Sequence, residues 1–215
     1  MLLSTAYFPP LAYFALLARD FTLSPDRVLP SVAALEACEN YQKQSYRNRC
    51  YILSGDGPQM LQVPVVHGSS PLITEVRVDY STPWVVRTER ALDAAYDSSP
   101  WYLYYRDGLF ALLDAREERL FDLNLSLLRF CLEKTGIACE VRLTDEFAAP
   151  GSVSDDWRET IHPKRPDTVL RDLGLERPYY QVFRDRFGFT PRLSVLDLLF
   201  NEGPDSILWL KKLQA

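Results

Sequence analysis

The sequence has few of the residues that bind metals or form disulfides. It contains four cysteines and two histidines in 215 residues, and no cysteines form a Cys-x-x-Cys pair. The histidines, His67 and His162, lie far apart, so no zinc-ligand spacing is present. These scarcities predict reduced thiols, no metal and no cofactor, as is typical of a cytoplasmic protein.

The chain also lacks a basic excess and a long apolar run. Its 29 Asp and Glu residues outnumber 24 Lys and Arg, for a net charge of −5, which argues against a broad surface for nucleic acid. No stretch reaches the length of a membrane span. The apolar start, residues 1–18, has no positive n-region and is interrupted by Pro9 and Pro10, so we do not expect a signal peptide.

What is abundant is material for a core. Hydrophobic residues make up 47% of the chain and aromatic residues 13%, which excludes an intrinsically disordered protein. At this length we expect residues 1–215 to form a single α/β domain.

The first forty residues predict a βαβ unit. Residues 1–6 read as a buried strand, Pro10 suits the first turn of a helix, and residues 11–19 are apolar nearly all round. We expect residues 21–30, with their prolines, to form a loop. Residues 31–39 favour a second parallel strand, with one short helix as the alternative. The predicted fold is therefore a three-layer, Rossmann-like α/β fold with a mainly parallel sheet.

A β-hairpin and a helical second half follow. Residues 49–54 and 60–66 flank Gly55-Asp56-Gly57-Pro58, which predicts a hairpin near residues 49–66. Residues 73–80 alternate between apolar and charged side chains, as in a strand with one face exposed to solvent. Helices are predicted at 84–96, 101–113, 121–134 and 194–200, and a further strand at 137–143. Gly136 suits a helix C-cap, and Ser194 with Asp197 has the spacing of a capping box.

The stretch Tyr41–Cys50 differs from the rest of this acidic chain. It holds three cations, Lys43, Arg47 and Arg49, with no acid and no aliphatic residue. On a strand these cations share one face; on a helix Lys43 and Arg47 align instead. Such groups bind phosphate or carboxylate oxygens, which predicts a site for an anionic small molecule. The alternative is that they form surface ion pairs, for example with Glu36 or Glu39.

Other candidate residues have two interpretations each. Cys50 lies beside Arg49, which would activate a thiol, but it also leads an apolar strand. His162 is either a general acid or base, or an exposed histidine. Tyr7 follows the first strand, at the sheet edge where α/β folds bind ligands, or it fills the core. The polar pair Tyr180 and Gln181 belongs either to the site or to a turn.

Several of these segments together resemble the WbqC-like family of bacterial proteins. The matching segments are Tyr7-Phe8-Pro9-Pro10 with Tyr13-Phe14, Tyr41 through Cys50, Leu61-Gln62-Val63-Pro64-Val65, Trp84, Tyr96 with Ser99-Pro100, Tyr180-Gln181, and Leu193 through Gly203. The resemblance implies an association with O-antigen and other surface polysaccharides, and for some members a glycine transferase role.

The sequence hypothesis is a transferase of a small acyl or aminoacyl group in surface-glycan or nucleotide-sugar metabolism. The residues expected to bind the anionic substrate are Lys43, Arg47, Arg49, Tyr180 and Gln181. The residues expected to orient the reacting group are Tyr7, Asn48 and His162. The alternative is a non-enzymatic protein whose basic stretch, residues 41–50, docks an acidic partner.

Overall fold

The structure is a computed structural model that describes residues 1–24, 27–68 and 71–212. In chain order its strands are β1 (Leu2–Leu3), β2 (Thr22–Ser24), β3 (Arg27–Leu29), β4 (Ser31–Leu35), β5 (Arg49–Ser54), β6 (Gly57–Gln62) and β7 (Cys139–Leu143). Its α-helices are α1 (Leu11–Asp20), α2 (Trp84–Tyr96), α3 (Tyr102–Asp114), α4 (Leu120–Thr135), α5 (Val169–Asp172), α6 (Arg184–Phe187), α7 (Val195–Glu202) and α8 (Ser206–Lys211).

A parallel sheet in the order β1-β4-β7 is the centre of the fold. The unit β1-α1-β4 is the predicted βαβ unit, and residues 31–35 form the second parallel strand rather than a helix. Helix α1 is buried from Leu11 to Ala18, because its apolar residues leave no polar face. The outer edge of β1 pairs with the segment before Trp157, where the Leu2 N–H donates to the Asp155 carbonyl. This contact covers an edge that would otherwise expose unpaired backbone groups.

Two antiparallel hairpins accompany the sheet. Strands β5 and β6 form the predicted hairpin, with Ser54 paired to Gly57 at its turn. The prediction of a loop over residues 21–30 was wrong, because β2 and β3 pair as a second hairpin. Pro30 follows the last residue of β3, where a missing N–H is tolerated. Pro25 and Asp26, which also led to the loop prediction, lie outside the described residues.

The predicted strand at residues 73–80 was also wrong. Residues Ile73–Glu75 form a 3₁₀ turn, and only isolated bridges follow, Val65 to Val78 and Arg77 to Arg119. The alternating apolar residues are buried, but the backbone of this segment bonds to the residues around the start of α4, where the Leu120 N–H donates to the Val76 carbonyl. Burial on one side therefore produced a strand-like pattern without a strand.

The helices of the second half begin and end close to the predicted residues. Gly136 ends α4 in the left-handed conformation, with φ of 72°, as its C-cap position requires. Ser194 caps α7 through a hydrogen bond from the Leu196 N–H, but the Asp197 side chain turns into the core instead of closing a capping box. None of the helices in the described ranges has the length and apolar composition needed to cross a membrane.

The molecule is thus a mixed α/β structure with a parallel three-stranded sheet and a β5–β6 hairpin. The three-layer, Rossmann-like arrangement stays a prediction. The carboxyl ends of β1, β4 and β7 meet at one edge of the sheet, and the loop Tyr41–Asn48 lies against this edge and leads directly into β5. That position makes the loop the main determinant of the candidate site.

Candidate functional site

Residues 41–48 of the basic stretch form a folded loop, and only Arg49 and Cys50 lie on a strand, at the start of β5. The stretch is therefore neither the continuous strand nor the helix considered from the sequence. Ser45 Oγ donates to the Gln42 carbonyl at 2.6 Å and accepts from the Arg47 N–H at 3.4 Å. Gln44 has a positive φ of 58°, a conformation that non-glycine residues rarely adopt. Serine side chains that bond to nearby backbone compete with regular structure, so the loop turns and its cations separate.

Arg47 points inward and forms a buried ion pair. Its Nε and Nη2 atoms donate to the two oxygens of Glu39 at 2.8 and 2.5 Å, and both side chains are 6% exposed. Further donations reach Ser4 Oγ at 2.9 Å and Gln42 Oε1 at 3.0 Å. The partner considered from the sequence, Glu39, is correct, but the pair is internal. These bonds use four of the five N–H groups of the guanidinium, which leaves at most one donor for a ligand.

A second buried ion pair lies at the same edge of the sheet. Arg158 Nη1 donates to Glu36 at 2.8 Å, and its other nitrogens bond to Asp156 and to the Ala148 carbonyl. Glu36 also accepts from Thr144 Oγ1 and from the Ala148 and Cys38 N–H groups. These bonds hold the loop after β7 against β4. Residues 144–156 are thus tied to the sheet at both ends, through Thr144 at one end and the Asp155 carbonyl at the other.

The other two cations of the stretch face a pocket of about 320 Å³. Its polar lining is supplied by the loop, by β5–β6 and by the segments after β6 and before α2. The polar side chains are Tyr41, Lys43, Gln44, Asn48, Arg49, Gln62, His67 and Asp79. A pocket of this size is at the lower end of those that hold small molecules, roughly 300–1,000 Å³.

The pocket carries unpaired positive charge. The side chains of Lys43 and Arg49 have no hydrogen-bond or ion-pair partner within the described residues, and the Arg49 Nε atom is buried. Asp79 is the acid of the lining, and its carboxylate accepts from the Ser81 N–H at 2.8 Å. Hydrogen bonds from Ser81 lower the pKa of Asp79, and the nearby His67 lowers it further. Tyr41 lines the same pocket as Arg49. Burial raises the pKa of its phenol, and the charge of Arg49 opposes this rise.

Asn48 is held firmly beside these cations. Its Nδ2 donates to the Val63 carbonyl at 2.9 Å, and the Val63 N–H donates back to the Asn48 carbonyl. Its Oδ1 atom is buried and has no partner within the described part of the chain. Among the candidates for orienting a reacting group, Asn48 is therefore the one that lies in the basic pocket.

Tyr7 and His162 lie elsewhere. Tyr7 is fully buried and packs against Phe8 and Trp84, and burial raises its pKa well above the ordinary value. His162 is half-buried, and its Nδ1 accepts from the Lys164 N–H at 3.2 Å. It lines a separate small cavity with Tyr46, and burial lowers its pKa.

Tyr180 and Gln181 are also outside the basic pocket. Tyr180 is exposed, and its N–H donates to Glu202. Gln181 is fully buried, and its Nε2 donates to Asp197 at 2.7 Å. Asp197 further accepts from Tyr96 at 2.9 Å and Tyr179 at 2.6 Å. Burial nevertheless raises the pKa of Asp197 to about 6, against the lowering effect of these bonds.

The cysteines show no sign of an activated thiol or a metal centre. Cys50 is 1% exposed, and burial raises its pKa far above the ordinary value, so it is a core residue rather than a nucleophile. All four thiols are free. Within the described ranges no group of three His, Cys, Asp or Glu side chains is placed to hold a metal ion.

Comparison with known proteins adds the family. A sequence model of the WbqC-like protein family matches residues 5–164, more than half of the chain. The chain belongs to the WbqC-like protein family. It is also similar to the Uncharacterized protein Rv1507c of Mycobacterium tuberculosis, with 27% identity over 194 residues that cover 80% of this chain and 84% of that protein. No solved structure matches.

The WbqC-like match contains the basic pocket in full, from Tyr41 to Asp79, together with both buried ion pairs. Gln62, His67 and Asp79 line the pocket but were not among the residues expected to form the site. His67 and Asp79 come together because Val65 bridges to Val78. A backbone pairing between segments that are not regular strands leaves no periodic signal in the sequence.

Proposed function

We propose that this WbqC-like protein binds a small anionic molecule, through a phosphate or carboxylate group, in the basic pocket lined by Lys43, Arg49 and Asn48. The observation that carries the proposal is the pair of unpaired cations in one recess, one of which has a buried, unbonded Nε. A buried polar atom without a partner costs free energy unless a ligand or water satisfies it.

The loop supplies the rigidity that such a site needs. Its backbone is anchored at successive residues, because the Tyr46 carbonyl accepts from the Tyr7 N–H and the Arg47 carbonyl accepts from Asn124 Nδ2 at 2.8 Å. The buried Arg47–Glu39 ion pair fixes the side of the loop that faces the interior. Cations held in place before the ligand arrives lose little conformational entropy on binding.

We further propose that the bound molecule takes part in transfer of a small acyl or aminoacyl group in surface-glycan or nucleotide-sugar metabolism. The resemblance to WbqC-like proteins supports this reaction class, and the pocket supports electrostatic positioning of an anionic donor or acceptor. Asn48 is the residue of the pocket that would orient the reacting group. Docking of an acidic partner is the weaker alternative, because the cations lie in a recess rather than on a flat surface.

Calorimetric titration with inorganic phosphate tests the binding proposal. Wild type should bind with a Kd of about 1 mM or tighter at low salt. Arg49→Gln and Lys43→Gln should each weaken binding about tenfold, the effect of losing one charge-assisted hydrogen bond. Arg129→Gln, which changes an exposed arginine on α4, is the matched control and should leave binding unchanged. If Arg49→Gln binds as well as the control does, the site lies elsewhere.

A further inference from the structure

A second cleft lies beside the basic pocket and differs from it in chemistry. Its volume is about 280 Å³, and its walls are aromatic rings, prolines, one leucine and one guanidinium. The side chains that matter here are Tyr46, Tyr51, Pro58, Pro163, Pro191 and Arg192. The rings of Tyr46 and Tyr51 meet edge to face, with centroids 6.4 Å apart. Such a cleft is suited to an apolar or aromatic group that approaches with few polar atoms.

The register of the hairpin places both recesses over one of its faces. Arg49 pairs with Gln62, Tyr51 with Met60, and Leu53 with Pro58. The side chains of directly paired residues lie on the same face of a hairpin, and so do side chains two positions apart on one strand. Arg49 and Gln62 line the basic pocket, whereas Tyr51 and Pro58 line the cleft. The Cα atoms of Arg49 and Tyr51 are therefore about 7 Å apart along the strand.

A polar bridge connects the walls of the two recesses. The Lys164 ammonium donates to the side chain of Gln44, a residue of the basic pocket, and Lys164 follows Pro163 of the cleft. Arg192 has a positive φ of 68°, and its guanidinium donates to the Arg165 carbonyl. A strained backbone at a cleft wall is a feature of binding sites that the surrounding structure holds in place.

We propose that the two recesses form one site for a nucleotide, in which the phosphate contacts Lys43 and Arg49 and the base lies in the cleft beside Tyr51 and Arg192. The inference rests on the proposed anion site and extends it to a ligand class. Aromatic side chains and arginine planes stack on bases of any sequence. A sugar ring in the cleft would bury several hydroxyl groups against prolines and tyrosine rings, and hydroxyls without partners weaken binding.

Calorimetry with a ligand series tests this inference. Inorganic phosphate, a sugar phosphate and the nucleoside monophosphates AMP and UMP are titrated into wild type, Tyr51→Leu and Tyr104→Leu. At least one nucleotide should bind about tenfold tighter than phosphate, near the low end of what base stacking contributes. Tyr51→Leu should remove that gain and leave phosphate binding unchanged, which also shows that the variant is folded. Tyr104→Leu, at a tyrosine that is 76% exposed on α3, is the matched control.

The outcomes separate this inference from the proposed function. If phosphate binds through Arg49 but no nucleotide binds tighter, only the nucleotide inference is overturned. If the sugar phosphate gains as much as the nucleotides, the assignment of the cleft to an aromatic base is overturned. If nucleotides bind tighter and Tyr51→Leu keeps the full gain, the position of the base is wrong. If neither phosphate nor nucleotide binds, the anion site itself fails.

Discussion

Two arginines two residues apart should respond to mutation in opposite ways. Arg47→Met removes one partner of an ion pair in which both side chains are 6% exposed. Glu39 then stays buried with Ser4 as its remaining side-chain donor. Breaking such a pair costs about 3–5 kcal/mol of unfolding free energy. For a chain of this size each kcal/mol shifts the melting temperature by about 2–4 °C, so a loss of roughly 6–20 °C is expected.

Arg49→Met should change the free energy of unfolding by no more than about 0.5 kcal/mol, because no described residue bonds to the Arg49 side chain. It should instead weaken phosphate binding about tenfold, as expected for Arg49→Gln. The assays are urea denaturation followed by tryptophan fluorescence, and calorimetric titration of each folded variant. The double variant Arg47→Met with Glu39→Leu should recover a large part of the lost stability, because replacing a whole buried pair is often neutral. Wild-type stability in Arg47→Met, or a destabilised Arg49→Met, would refute the assignment of roles.

Three further predictions concern titration and charge. Since burial raises the pKa of Asp197 to about 6, the folded state favours its protonated form, and this contribution to stability is lost as the pH rises from about 4 to 7. Asp197→Asn should remove roughly 2–3 kcal/mol of that pH dependence in urea denaturation, and equal pH profiles would contradict it. Cys50 and Cys131, whose pKa values burial raises, should escape thiol labelling at about pH 8 until the protein unfolds; mass spectrometry that finds both labelled in the native protein would disprove their burial. Asp79→Asn should strengthen phosphate binding about two- to fivefold by removing the acid from the basic pocket, whereas weaker binding in calorimetry would mean that Asp79 supports the site.

Features that depend on neighbouring residues in the chain could be predicted. The β5–β6 hairpin follows from two apolar runs around a Gly-Asp-Gly-Pro turn, and the end of α4 follows from Gly136. The parallel pairing of β1 with β4 follows from a strand and a buried helix in succession. The hairpin and helix-end signals act within windows of about 11–18 residues, and the β1–β4 pairing follows from the order of successive elements.

Features that depend on distant partners could not be predicted. The direction of Arg47 is decided by Glu39 and Ser4, and the direction of Asp197 by Tyr96 and Tyr179. In both cases the buried partner outweighs the local pattern, because an unpaired charge in the interior costs more than an irregular loop or an incomplete capping box. The basic stretch was recognised from its composition, but the separation of its cations required the tertiary structure.

The position of a bound anion tests the proposed anion site most directly. A crystal of the wild-type protein soaked with tungstate, a tetrahedral dianion, would locate the ligand by anomalous scattering. If the basic pocket is the anion site, the peak will lie within hydrogen-bond distance of the Arg49 guanidinium and the Lys43 ammonium. A peak at Arg192 or on the outer surface, with the basic pocket free of tungstate, would contradict the proposed anion site.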